Sequence, residues 1–118
     1  PTLRALQHEG LRMRRADGTL AQAPVTAHDS PAALGAQDLV VVAVKAPALP
    51  AIAQAMAPLL GPDTMVLTAM NGVPWWFLDG FCGAVQGHAL QSVDAGGAIA
   101  RAIPTHHVVV KRGAIFAP

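Results

Sequence analysis

Asp38-Leu-Val-Val-Val-Ala-Val-Lys45 and Thr64-Met-Val-Leu-Thr-Ala-Met-Asn71-Gly72 decide the fold. Each run is apolar and ends abruptly in a polar residue. Leu39 to Val44 is largely β-branched with no polar alternation, which predicts a strand covered on both faces, as in a parallel sheet. Between the runs the period changes. Over Pro47 to Leu60, the residues Leu49, Ile52, Ala53, Met56, Leu59 and Leu60 share one helical face. Pro50 suits the first turn, and Gly61-Pro62 ends the helix. The order is therefore strand–helix–strand, with the right-handed crossover that parallel neighbours require. In such a unit Lys45 and Asn71 emerge at the same edge, about one strand spacing of 4.8 Å apart. Ligands of open α/β sheets bind at that edge.

Outward from this unit the patterning is weaker. Thr2 to Glu9 carries Leu3 and Leu6, with Gly10 as a helix stop. Leu11-Arg-Met-Arg-Arg15 alternates as a half-buried strand does. Asp17-Gly18 predicts a hairpin turn, and Leu20 to Ala27 returns as an edge strand weakened by Pro24. A short helical turn at Pro31 to Leu34 is closed by Gly35. Beyond Asn71, Gly72 to Leu78 predicts a short apolar helix carrying both tryptophans, Trp75 and Trp76. Gln86 to Val93 reads as a short strand or loop. A helix then starts at Ala95-Gly-Gly97, with Ile99, Ala102 and Ile103 on one face and Pro104 at its end. His107 to Phe116 predicts a last strand. The fold class expected is α/β, an incomplete Rossmann-like sheet, doubly wound and mostly parallel, with a β-hairpin near the N-terminus.

The composition narrows the function classes. Of the 118 residues, 53% are hydrophobic and 13% charged, which argues against disorder and for some apolar surface meant for a partner. The net charge of +1, with one basic cluster at Arg12, Arg14 and Arg15 and no interleaved aromatics, argues against a nucleic-acid groove. Only one cysteine is present, Cys82, so no intrachain disulfide can form, as in a reducing cytoplasm. No run approaches the roughly 18 to 20 apolar residues of a membrane span. The predicted setting is cytoplasmic, with no nucleic-acid or membrane partner.

Few side chains suggest chemistry. Lys45 at a strand's carboxyl end could hold a phosphate or carboxylate as a point charge, or simply solvate the strand end. Asn71 offers donors and an acceptor, although Asn-Gly is also a common turn dipeptide. Trp75 and Trp76 fit a core or interface better than a stacking platform. The five histidines show no metal-ligand spacing; His106 and His107 would face opposite sides of a strand, and no metal is expected. Asp94 reads as a helix cap. The sequence has no Gly-x-Ser-x-Gly, no P-loop and no Gly-x-Gly-x-x-Gly.

Gly10-Leu11, Asp38 to Ala46, Leu59-Leu60 and Met70-Asn71-Gly72-Val73-Pro74-Trp75-Trp76 closely resemble the ketopantoate reductases (2-dehydropantoate 2-reductases). Ser92-Val93-Asp94-Ala95-Gly96-Gly97 and Ile103-Pro104 continue the likeness, which runs to about residue 116. The resemblance implies reduction of 2-dehydropantoate, or a related 2-keto acid, with NADPH, on the path to pantothenate. It implies that Lys45 contacts the cofactor, and that Asn71 binds both the cofactor and the substrate. Lys111-Arg112-Gly113 departs from the apolar strand usual there, ahead of a segment near Ala117-Pro118 that would border the cofactor.

The resemblance also implies what is missing. Residues 1–118 would be a partial N-terminal dinucleotide-binding domain, without the Gly-rich first βα unit and without the C-terminal helical domain. No catalytic residue would then lie within these residues, since the family's acid belongs to the helical domain. The 118 residues alone are expected to be inactive, and their open sheet edge is expected to promote self-association. A non-catalytic α/β module that binds a nucleotide or another protein remains the alternative.

Overall fold

The computed structural model describes residues 2–80 and 83–109. It begins with α1 (Thr2–Glu9) and a hairpin of β1 (Leu11–Arg14) and β2 (Leu20–Ala23). β3 (Gln37–Val42), α2 (Leu49–Ala55) and β4 (Leu60–Thr68) follow, and α3 (Ala98–Ala102) lies near the end. The expected β–β then β–α–β order is present.

The hairpin forms where Asp17-Gly18 predicts it. The Gly18 N–H donates to the Arg15 carbonyl at 3.0 Å and the Arg15 N–H to the Thr19 carbonyl at 2.8 Å, with Gly18 at φ +83°. Glycine reaches that region without steric cost. β2 stops at Ala23, one residue before Pro24, which has no N–H to extend the ladder. The half-burial expected of β1 is not observed. Leu11 and Met13 are exposed along with the arginines, because the hairpin is a two-stranded sheet of its own and nothing among the described residues covers it. α1 likewise buries no residue.

β3 and β4 pair in parallel, with Leu39 opposite Met65 and Val42 opposite Thr68. The register breaks at the start, where Gln37 faces Leu60 and the next partners are Leu39 and Met65. Thr64 satisfies this bulge. Its buried hydroxyl donates to the Gln37 carbonyl at 2.6 Å and accepts the Gly61 N–H at 2.7 Å. β4 thus begins at Leu60, ahead of Thr64, where the sequence pattern places its start.

The single helix expected from Pro47 to Leu60 is three pieces. A 3-10 turn at Ala46–Ala48 leads into α2, and a second at Ala57–Leu59 leaves it. Pro58 explains the break: it lacks the N–H of an α-helical bond and its ring clashes with the carbonyl four residues back. Leu49, Ala53 and Met56 still face inward together. They join Val42, Val66, Trp75, Ile99 and Ile103 in one core between the sheet and the pair α2 and α3.

Among the described residues only one face of the sheet is buried. Val42 and Val66 point into the core, whereas Val41 is 53% and Met65 51% exposed, and Leu39 and Leu67 lie beside them. The two-sided cover predicted for Leu39 to Val44 is therefore corrected for these residues. The helices lie on one side, and an all-apolar strand conceals in its sequence which side is covered.

Two further expectations change. The apolar helix expected from Gly72 to Leu78 is reduced to a 3-10 turn at Phe77–Gly80. His106 and His107 lie in a 3-10 turn, Thr105–His107, with ring centroids 4.1 Å apart, rather than on opposite faces of a strand. After that turn, Val108 bridges Val66 in parallel and the Val109 N–H donates to the Val66 carbonyl at 2.9 Å. Cys82 and residues 110–118, including Lys111-Arg112-Gly113 and Ala117-Pro118, lie outside the described residues.

Candidate functional site at the strand ends

β3 and β4 run side by side in the same direction, so their carboxyl ends share an edge. The Ala69 N–H donates to the Val42 carbonyl at 2.9 Å and carries the pairing one step further. Lys45 and Asn71 each lie three residues beyond the last register pair, Val42 and Thr68. Both are exposed. Lys45 is extended, at φ −74° and ψ 145°, and immediately precedes the Ala46–Ala48 turn. Its carbonyl accepts the Ala48 N–H at 2.9 Å, which fixes the turn to the strand end.

A cleft of about 430 Å³ opens at this edge. Ala46, Pro47, Leu49 and Pro50 form one wall, at the start of α2. Thr68 and the run Met70–Trp75 form a second, and Ser92 and Val93 complete the lining. Asn71 is therefore part of the cleft. Lys45 is represented there by its neighbour Ala46 rather than by its own side chain. Cavities of roughly 300–1,000 Å³ with mostly apolar walls and a few polar groups are the usual form of small-molecule sites. Here the polar groups are Thr68, Asn71 and Ser92, and no charged residue lines the cleft among the described residues.

The Ser92–Val93 wall is held by Asp94. Its buried carboxylate accepts the Ile99 N–H at 2.8 Å and the Ala100 N–H at 2.9 Å. These are free amides of the first turn of α3, so Asp94 serves as the cap expected of it. Gly96 at φ +67° and Gly97 at φ +69° turn the backbone so that the carboxylate can reach. The second wall is backed by Trp75, which is 5% exposed and packs in the core, with Trp76 half-buried against it. Packing, the favoured reading of the tryptophan pair, is what the structure shows. Neither indole N–H has a hydrogen-bond partner among the described residues.

A more open concavity of about 450 Å³ lies between α1 and β2, bordered by Leu6, Glu9, Gln22 and Pro24. It uses no strand end, and the Gln22 amide there is bonded to the Glu9 carbonyl. No group of three metal-ligating residues converges among the described residues.

Residues 1–75 match the family profile described as Ketopantoate reductase PanE/ApbA. The chain belongs to the ketopantoate reductase family. A curated relative from Mesorhizobium japonicum, named 2-dehydropantoate 2-reductase, is 46% identical over 107 residues, covering 91% of this chain and 32% of that protein. A crystal structure from Ralstonia solanacearum MolK2, assigned to the ketopantoate reductases, superposes with a TM-score of 0.82 at 58% identity, over 91% of this chain and 33% of that one. The chain thus spans about a third of the length of each. Its mixed α/β fold, with small parallel and antiparallel sheets, is consistent with the Rossmann-like region of this oxidoreductase family.

Thr68, Ser92 and Val93 line the cleft without being marked as such in the sequence. Thr68 has one faint signal, a hydroxyl directly after the apolar Met65-Val-Leu67 and three positions before Asn71. Ser92 and Val93 have none beyond the family likeness, because they reach the cleft through the fold of Asp94 and α3 rather than through any strand pattern.

Proposed function

We propose that this chain forms the cofactor- and substrate-facing wall of an NADPH-dependent reductase that converts 2-dehydropantoate, or a related 2-keto acid, to the 2-hydroxy acid. The observation that carries this reading is Asn71 in a mostly apolar cleft at the carboxyl ends of two parallel strands, in a member of this family. At about 430 Å³ the cleft has room for a nicotinamide ring and a small acid. NADPH, when bound, supplies the hydride for such a reduction.

In this reading Asn71 donates from its carboxamide to the nicotinamide half of the cofactor and to an oxygen of the substrate. Lys45 contributes positive charge beside the cleft, which favours an anionic keto acid or a phosphate. Leu49 and Trp75, both buried where they line the cleft, give it apolar surface that strengthens those polar contacts. The chain is a partial dinucleotide-binding domain that acts in the cytoplasm as part of a longer protein. The pyrophosphate-binding loop and the proton donor come from outside these residues, so the 118 residues by themselves do not turn over.

The test follows cofactor absorbance in a protein of its relatives' length that includes this chain. Asn71→Ala is expected to lower kcat/KM by about tenfold to a hundredfold, the size of a lost hydrogen bond of roughly 1–3 kcal/mol. Lys45→Ala is expected chiefly to raise KM, with the deficit shrinking as salt screens the wild-type charge. Unchanged kinetics in Asn71→Ala would remove the basis of the proposal, and so would turnover by the isolated 118 residues.

A further inference from the structure

Asn71 is the single asparagine of the sequence, and a glycine follows it. That pair has an intrinsic reaction. The backbone nitrogen of the second residue can attack the carboxamide carbon of the first and close a five-membered ring. Most folded proteins suppress this by holding the amide nitrogen in a hydrogen bond, by pinning the carboxamide, or by crowding the position with bulky neighbours.

Among the described residues none of these restraints operates at Asn71-Gly72. Asn71 is exposed, and its carboxamide makes no hydrogen bond among the described residues. The Gly72 N–H is likewise unbonded among them, since the segment lies after β4 and before the next 3-10 turn. Gly72 sits at φ +110°, with no heavy atom within 4 Å of where a Cβ would stand. Asp17-Gly18 provides the internal contrast. There the Gly18 N–H donates to the Arg15 carbonyl at 3.0 Å, and Asp17 Oδ1 accepts from the Thr19 N–H at 2.9 Å and hydroxyl at 2.6 Å. Both reacting groups of that pair are held.

We propose that Asn71 is a self-modification site, converted to aspartate or isoaspartate by attack of the Gly72 nitrogen on its carboxamide carbon. The new bond between that carbon and the Gly72 nitrogen forms as the bond from the carbon to the Asn71 Nδ2 breaks. Nδ2 leaves as ammonia with a proton from the Gly72 N–H. Water then opens the succinimide at either carbonyl. The balance is one water consumed and one ammonia released, with no change in oxidation state. The product replaces two N–H donors with an acceptor-only carboxylate. The consequence for activity rests on the proposed function: a carboxylate in the cleft cannot donate to the cofactor and repels an anionic keto acid, so the site switches off with age.

The experiment incubates a purified protein of its relatives' length that includes this chain at mildly alkaline pH, with and without NADPH. It follows the peptide containing residue 71 by mass spectrometry and an isoaspartate assay. The expected result is steady growth of the acid form at residue 71, a shift of one negative charge in isoelectric focusing, and no reaction in Asn71→Gln, which is one methylene too long to close the same ring. An amide that stays intact in the folded protein while the denatured protein reacts would overturn the proposal. With NADPH present the conversion is expected to slow several-fold. Conversion at an equal rate with and without NADPH would leave the modification standing and count against Asn71 as a cofactor contact.

Discussion

Single residues in this protein owe their behaviour to what holds them. The Asp17 carboxyl is kept below the ordinary aspartate range, first by the Thr19 hydroxyl and then by the Thr19 N–H. A carboxylate with a lowered folded-state pKa adds stability above its unfolded value, near 3.9, and that contribution is lost as pH falls through the folded value. Thr19→Val is expected to move the Asp17 midpoint upward, toward ordinary aspartate, in an NMR titration; an unmoved midpoint would show that the hydroxyl is not the cause. Lys45 and Asn71 are legible as a pair because each is the first strongly polar residue after an apolar strand. The difference between them is not legible. Asn71 enters the cleft lining and Lys45 does not, which depends on how the Ala46–Ala48 turn leaves β3. That turn lies beyond the strand pattern: it has Pro47 in its first positions, buries no residue and is closed by the Ala48 N–H on the Lys45 carbonyl.

Among the elements, β3, β4 and the turn of the hairpin can be read from sequence because their signals are local: β-branched runs and Asp-Gly. The helix between the strands reads too long, although Pro58 lies in plain view, because apolar periodicity continues through Leu59 and Leu60 into β4. The burial of the strands misleads for the opposite reason. Leu39 and Val41 have the same chemistry as Val40 and Val42, and only the placement of α2 and α3 distinguishes the two faces. α3 is small but tightly bound to the core. It is five residues long, yet it supplies Ile99, with Ile103 just after it, and both are almost fully buried. So short a helix has no independent stability and is held by its packing and by Asp94. Ile103→Ala is expected to cost about 2–5 kcal/mol in denaturant unfolding, as for other deep aliphatic truncations. A loss below about 1 kcal/mol would mean the site collapses around the smaller residue.

At the scale of the whole molecule, the exposed sheet face dominates. Leu39, Val41, Met65 and Leu67 form an apolar strip on the side opposite the helices. We expect the 118 residues by themselves to associate through this strip or through the open strand edge. Light scattering should show a mass that rises with concentration, and Val41→Lys with Met65→Lys should reverse it. A concentration-independent monomer would rule the association out. The tryptophan pair has a different consequence. Both indoles follow Asn71 within five positions, and Trp75 borders the cleft while the hairpin contains neither. The molecule thus carries a built-in optical gauge at one end only. Emission will report what happens beside α2 and β4, and will stay silent about rearrangement around α1.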